Sequence, residues 1–139
     1  MDAGKIINQI SVRLRRRSGR TGRLLGITEA QGRVLEFILV ESVHRQLCQK
    51  DIEREFDLRP STVTELLKNL EDQGMIQRIN SESDGRYKRI QFTEAAGDIR
   101  QALQQQIQRT EAQMTMGISG EELDTFMRVA HRMLENLGD

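Results

Sequence analysis

The chain has 139 residues, of which 37% are hydrophobic, and its 21 basic side chains balance 21 acidic ones. This length suits one domain with its own core, and no apolar run approaches the roughly 18 residues of a membrane span. The N-terminus also lacks an apolar signal core, so we expect a cytoplasmic protein without membrane contact. The single cysteine, Cys48, excludes an internal disulfide, and with His44 and His131 far apart we expect neither a metal nor a cofactor.

The charge is unevenly distributed along the chain. Residues 1–26 carry seven basic side chains and one acidic side chain, whereas residues 94–139 carry eight acidic and four basic ones. A neutral total of this kind still permits a locally positive surface. The arginines from Arg13 to Arg23 fit three interpretations, all open at this point: a solvated helix end, a set of phosphate contacts, or an anion-binding wall of a ligand pocket.

The N-terminal segment predicts an amphipathic helix over residues 2–17. Its apolar side chains recur at fourfold spacing, at Ile6, Ile10 and Leu14. Residues 18–22, Ser-Gly-Arg-Thr-Gly, predict a flexible connection. A second helix is expected over residues 29–41, because Thr28 followed by Gln31 is typical of a capping box. The residues that this second helix should bury are Val34, Leu35, Ile38 and Leu39.

The centre of the chain predicts a helix-turn-helix: a helix over residues 48–56, a turn over 57–59 and a helix that begins at Pro60. Pro60 suits the first helical position, where its missing N–H is not needed. Apolar residues at i, i+3, i+4 and i+7 form one buried stripe: Val63, Leu66, Leu67 and Leu70. The opposite face carries Thr62, Thr64, Glu65 and Lys68, and we expect it to be exposed and to bind a partner.

A β-hairpin is predicted directly after this helix. Gly74 ends the helix, and the alternating segments 75–79 and 87–92 indicate two strands around a polar turn over 81–86. The expected fold is therefore mainly α with a small β-hairpin wing, which is a winged helix-turn-helix.

Two helices are predicted after the wing, one over residues 94–116 that Gly117 ends, and one that Ser119 caps together with Glu122. The last helix carries an apolar stripe from Leu123 to Leu137. The N- and C-terminal helices lie at opposite ends of the chain, so we expect them to bury their apolar faces against each other and against a second chain. This predicts a homodimer whose interface exceeds roughly 2,000 Å².

The expected organisation has three parts. Residues 1–27 form the N-terminal helix and its connection, residues 28–93 form the winged helix-turn-helix domain, and residues 94–139 form the C-terminal helices. The first and third parts together make the dimerisation region.

These segments resemble the MarR family of transcriptional regulators. The matching residues are Leu47-Cys48-Gln49-Lys50-Asp51-Ile52, Ser61-Thr62-Val63-Thr64 with Leu66, Leu67 and Leu70, Gly74-Met75-Ile76 with Arg78, and Asp84-Gly85-Arg86 followed by Ile90-Gln91-Phe92-Thr93. The chain departs from the family at Phe92, where Leu is usual, at Cys48, where Thr or Ser is usual, and at Ala95-Ala96, where Lys-Gly often follows.

The resemblance implies a homodimeric repressor that binds a pseudo-palindromic site on double-stranded DNA. A recognition helix enters the major groove with its N-terminal residues toward base edges, so we expect Ser61, Thr62 and Thr64 to contact bases and Lys68 to reach a phosphate. Glu65 has two interpretations, either an acceptor for a cytosine amino group or a partner of Lys68.

In the wing, the resemblance places Arg86 in or beside the minor groove, and Lys88 adds a backbone contact. Asp84 should shape the turn and hold Arg78 or Arg86 in place. The resemblance also implies a small anionic or aromatic effector, bound between the DNA-binding lobe and the dimer helices, that changes the spacing of the two recognition helices.

Two alternatives from other functional classes stay open. Net neutrality favours a winged protein-interaction module that does not bind DNA, while the Ser/Thr-rich helix face, Lys68 and Arg86 favour DNA. Cys48, at the N-terminus of a helix, fits either a thiol-based redox sensor or an unreactive small residue at a cap. The sequence has no Ser/His/Asp arrangement, paired carboxylates or phosphate-cradling loop, so we do not expect an enzyme.

Overall fold

A computed structural model describes residues 2–80 and 88–138 of the chain. In chain order its elements are α1 (Ala3–Leu25), α2 (Glu29–Glu41), α3 (Gln49–Phe56), α4 (Pro60–Asp72), β1 (Ile76–Asn80), β2 (Lys88–Phe92), a short 3₁₀ helix (Glu94–Ala96), α5 (Gly97–Met114) and α6 (Gly120–Leu137). The expected mainly α fold with a two-stranded hairpin is confirmed. The chain divides into two compact units, residues 1–107 and 108–139.

The first helix is longer than the sequence indicates. Residues 18–22, predicted to be a flexible connection, continue α1 to Leu25, so that prediction was wrong. Gly19, Thr21 and Gly22 are buried, and a Cβ atom at Gly22 would lie 3.2 Å from the carbonyl oxygens of Ile27 and Thr28. The small residues are there because the chain packs closely against this part of the helix, and not because the segment bends.

The capping box of α2 is confirmed. The Gln31 N–H donates to Thr28 Oγ1 at 3.1 Å, and the Thr28 N–H donates to Gln31 Oε1 at 2.9 Å. These two bonds satisfy donors that the helix itself leaves free. The four apolar residues expected to face inward, Val34, Leu35, Ile38 and Leu39, are all buried.

The core of the first unit joins α2, α3, α4 and the hairpin. Ile52, Leu67 and Leu70 are completely buried in it. The antiparallel register places Ile76 opposite Phe92 and continues to Asn80 opposite Lys88. The Ile90 N–H also donates to the Leu47 carbonyl oxygen at 2.8 Å, so the segment before α3 is tied to β2.

The expected helix over residues 94–116 begins instead as a 3₁₀ turn. The Thr93 hydroxyl accepts from the Ala96 N–H at 3.2 Å and donates to the Gly74 carbonyl, which links this start to the end of α4. Leu103 is completely buried, whereas Met114 near the end of α5 is 44% exposed. Met114 belongs to the second unit, where the single chain does not cover it.

Helix α6 is capped as the sequence predicts. The Glu122 N–H donates to Ser119 Oγ, and the Ser119 N–H donates to the Glu122 carboxylate, both at 3.1 Å; the bond from the Ser119 N–H lowers the pKa of the Glu122 carboxyl group. No residue of α6 is buried, and Phe126, Leu134 and Leu137 are 58%, 66% and 83% exposed. Within the described ranges, no helix is both long and apolar enough to cross a membrane.

Candidate nucleic-acid interface

The exposed face of α4 is the first component of the site. Pro60 occupies the first turn, and Val63, Leu67 and Leu70 have no exposed surface, which fixes the rotation of the helix about its axis. The five residues that the sequence predicts to face DNA, Ser61, Thr62, Thr64, Glu65 and Lys68, are all exposed. Short polar side chains therefore stand at the N-terminal turns of a helix that is anchored by its other face.

The turn between α3 and α4 is tight because its first residue has a left-handed backbone. Asp57 has a φ of +50°, a conformation that Asp tolerates better than most residues. Its N–H and that of Leu58 both donate to the Glu53 carbonyl oxygen, which closes the end of α3. The chain can then start α4 at Pro60.

A hydrogen-bonded cluster joins the N-terminal ends of α3 and α4. Gln49 Nε2 donates to Thr64 Oγ1 at 2.8 Å and to the Pro60 carbonyl oxygen at 3.2 Å. The Thr64 hydroxyl donates to the same carbonyl at 2.8 Å. Sequence reasoning missed Gln49, because only the packing of the two helices brings residues 49 and 64 together.

The wing is tied to the recognition helix by an ion pair. Arg78 on β1 contacts Glu71 in the last turn of α4, with Nη2 and Nε at 2.6 and 2.8 Å from Oε1. The sequence predicts Asp84 as a candidate partner for Arg78, but Asp84 and Arg86 lie outside the described residues. Lys88, the first residue of β2, is exposed.

The charges at the middle of the α4 face are not paired with each other. Among the residues that the structure describes, neither Glu65 nor Lys68 forms an ion pair, and both are exposed. The assignment of Glu65 as an acceptor for a cytosine amino group stays a prediction.

Cys48 is the N-cap of α3 and is half-buried. Its N–H donates to Asp51 Oδ2 at 2.9 Å, and Arg45 Nη1 lies 3.0 Å from Asp51 Oδ1. Partial burial acts to raise the pKa of Asp51, but these hydrogen bonds hold the pKa below its ordinary value. The helix start is thus stabilised through the Asp51 carboxylate, and any small residue at position 48 could serve there.

An arginine-lined cleft of about 440 Å³ lies along α1 and the start of α2. Its basic residues are Arg15, Arg16, Arg20 and Arg23, with Glu29 at its edge. In the part of the chain that the structure describes, none of these four guanidinium groups forms a hydrogen bond or an ion pair. The residues that line the cleft therefore carry a net positive charge.

A second concave surface, a groove of about 570 Å³, is lined by α1, α2, α3 and Ile107. Its walls include Ile10, Phe37 and Phe56, and the Arg33 guanidinium lies 5.2 Å from the centre of the Phe56 ring. Glu36 also lines this groove and accepts a hydrogen bond from the Ser18 hydroxyl at 2.9 Å. Burial raises the pKa of Glu36, although Ser18 and Arg33 act in the opposite direction.

Replacing Glu36 with Gln should therefore stabilise the protein at neutral pH. Because the pKa of Glu36 is higher in the folded protein than in the unfolded chain, ionisation of its carboxyl group lowers the free energy of unfolding. This destabilisation is fully present at a pH above the folded-state pKa, and it is absent at a pH below the ordinary pKa of glutamate. Urea unfolding from pH 4 to 8 should show that the advantage of Glu36→Gln grows as the pH rises. Glu55→Gln, at an exposed position on the same groove, is the matched control. A variant less stable than wild type at pH 7 would contradict this expectation.

A helix-turn-helix followed directly by a hairpin, with a polar exposed face on the second helix, defines a winged helix-turn-helix protein. A family model described as MarR family matches residues 25–86. This central part of the chain, 62 of its 139 residues, is therefore similar to the MarR family.

Solved structures share the fold over nearly the whole chain. The transcription regulator MarR from Oenococcus oeni PSU-1 is 25% identical, covers 96% of this chain and 99% of its own, and has a TM-score of 0.77. S. aureus MepR in a DNA-binding conformation is 24% identical, with 99% and 100% coverage and a TM-score of 0.86. A mutant of MepR bound to an oligodeoxyribonucleotide is 25% identical, with 99% coverage of both chains and a TM-score of 0.59.

Proposed function

We propose that this protein is a DNA-binding transcriptional regulator that acts as a homodimer on a pseudo-palindromic site in double-stranded DNA. The observation that carries the proposal is the polar face of α4, exposed while Val63, Leu67 and Leu70 on its apolar face are buried, with a hairpin directly after it. The likeness to a MepR structure bound to an oligodeoxyribonucleotide supports it.

In this proposal each side chain has a distinct role. Ser61 and Thr62, in the first turn of α4, approach base edges in the major groove, and Lys68 further along contacts a phosphate. Lys88 adds a backbone contact from β2, and Arg86 reaches the minor groove. Arg78 and Glu71 hold the hairpin against the end of α4, so that wing and helix are presented together.

The dimer is supported by the apolar surface that a single chain leaves exposed. Ile6, Ile7 and Ile10 on α1 are 42%, 50% and 40% exposed, and α6 contains no buried residue. Association of two copies through such helices gives twofold symmetry, which matches a pseudo-palindromic site with half-sites about one helical turn apart.

Regulation by an effector and a repressor role belong to the same proposal. The groove lined by Phe37, Phe56 and Glu36 is a candidate place for a small aromatic molecule. The four arginines of the cleft supply the positive charge that an anionic molecule would require. A regulator of this kind works beside the chromosome, in the cytoplasm, and no catalytic role is part of the proposal.

The test is selection of duplexes from a random library by the purified protein, followed by affinity measurement with the selected site. Arg86→Ala should weaken binding by about 1–3 kcal/mol while the melting temperature stays unchanged, because a polar wing residue contributes to DNA contact and not to the core. Arg132→Ala removes the same charge from α6 and should leave affinity unchanged. A wild type that selects no duplex would favour the protein-interaction module.

We further expect that Cys48 is not a redox switch. Peroxide should affect DNA binding by wild type and by Cys48→Ser equally, because the Asp51 carboxylate caps the backbone at position 48 and a serine hydroxyl suits that position. Gel-shift titrations before and after peroxide treatment measure this. Release of DNA from the wild type alone would establish the thiol as the sensor.

A further inference from the structure

We propose that Gln49 reads a base, and that Thr64 serves to hold Gln49 in the orientation that this requires. The inference rests on the proposed function and identifies a specificity-determining residue outside the recognition helix. It starts from the cluster in which Gln49, at the beginning of α3, contacts Pro60 and Thr64 at the beginning of α4.

The hydrogen bonds fix which end of the Gln49 carboxamide faces the protein. The Pro60 carbonyl oxygen can only accept, so the group at 3.2 Å from it must be the Gln49 amide nitrogen. Thr64 gives its only hydroxyl hydrogen to the same carbonyl, so its oxygen meets Gln49 with a lone pair and also requires a donor. These contacts orient the amide nitrogen of Gln49 toward Pro60 and Thr64 and leave Oε1 as the other end of the carboxamide.

The consequence is a division of roles between the two side chains. Thr64 has no hydrogen left to donate to a base without losing its bond to Pro60. The Gln49 oxygen Oε1 makes no hydrogen bond with any part of the chain that the structure describes. What the cluster offers to a ligand is thus one acceptor atom, held rigidly beside the end of α4 that enters the major groove.

The chemistry of this acceptor selects its partner. A glutamine with both ends free binds adenine through two hydrogen bonds, one donated and one accepted. Here the nitrogen end is held by Pro60 and Thr64, so the free acceptor Oε1 suits the exocyclic amino group of adenine N6 or cytosine N4. Oε1 does not suit a phosphate oxygen, which also only accepts. Gln49 should therefore favour adenine or cytosine at one position of each half-site.

The experiment compares base preferences at every position of the duplex that the wild type selects from a random library. Gln49→Ala should lower the preference at one position per half-site by roughly tenfold. Thr64→Val, which keeps the shape but removes the hydroxyl, should relax the same position, and Thr64→Ser should restore it. The double variant Gln49→Ala/Thr64→Val should be no worse than Gln49→Ala alone, because the two residues act as a unit.

Thr125→Val is the matched control. Thr125 is an exposed helical threonine on α6 whose hydroxyl also donates to the carbonyl oxygen four residues earlier, and it lies outside the proposed DNA-binding face, so its loss should not change the preference at the Gln49 position. If wild type selects a duplex but Gln49→Ala keeps every preference, the inference fails and the proposed function stands. If Thr64→Val relaxes a different position, Thr64 reads a base itself and the inference also fails. A wild-type protein that selects no duplex would contradict both the role of Gln49 and the proposed DNA-binding function.

Discussion

Removing residues 118–139 should turn a folded dimer into aggregate or unfolded chain. The apolar side chains of α6 are exposed in the single chain, with Phe126 at 58% and Leu134 at 66%, and part of α1 is exposed as well. Burying such surface contributes about 25 cal/mol per Å², so an interface built from it supplies a large share of a net stability that is typically about 5–15 kcal/mol. Light scattering for mass and circular dichroism during heating measure the result.

A milder change in the full chain separates dimer loss from general damage. Phe126→Ser with Leu134→Ser should give a melting temperature that depends strongly on protein concentration, because dimerisation and folding are coupled. Arg128→Ser with Arg132→Ser, on the same helix, should leave mass and melting unchanged. A truncated chain that is soluble, monomeric and cooperatively folded would refute the coupling of the terminal helices to the fold.

Affinity for the selected duplex should fall steeply with salt. Lys68, Arg86 and Lys88 from two protomers would neutralise about six phosphates, so the logarithm of the affinity should fall against the logarithm of the salt concentration with a slope of about −5. This corresponds to about a thousandfold loss between 50 and 200 mM salt. Because the net charge of the protein is zero, such a slope must come from locally placed cations.

Lys68→Gln tests one of these cations directly. It removes one phosphate contact from each protomer and should flatten the slope by about 1.8. Arg132→Gln removes an equal charge from α6 and should leave the slope as it is. An unchanged slope for Lys68→Gln would show that Lys68 on the α4 face does not contact a phosphate. A slope near zero for the wild type would mean that DNA does not bind that face.

The same titration decides between the interpretations of the arginine cleft. If Arg16 and Arg20 both line the DNA backbone, the wild-type slope should be steeper by about 3.6, and Arg16→Gln with Arg20→Gln should remove that increment. Arg13→Gln, on the same helix but outside the cleft, is the control. No change in slope would leave the cleft as a solvated helix end or a wall for a small anion.

The sequence by itself determined the elements whose signals are local. Thr28 with Gln31 and Ser119 with Glu122 marked two helix starts, because a capping box joins residues only three apart. Val63, Leu67 and Leu70 marked the buried face of α4, because helical periodicity alone decides which side chains share a face. The polar face opposite them followed from the same periodicity.

The tertiary structure alone decided the partners of side chains from different elements. Glycines at 19 and 22 favour a break in an isolated helix. Close packing of this part of α1 against residues 27–29 of the same chain nevertheless keeps it helical to Leu25. The ion pair of Arg78 with Glu71, and the bonds from Gln49 to Thr64 and Pro60, depend on how one element is placed against another. Such contacts leave no trace in periodicity or spacing, because they form only when packed helices and strands bring distant residues within hydrogen-bonding distance.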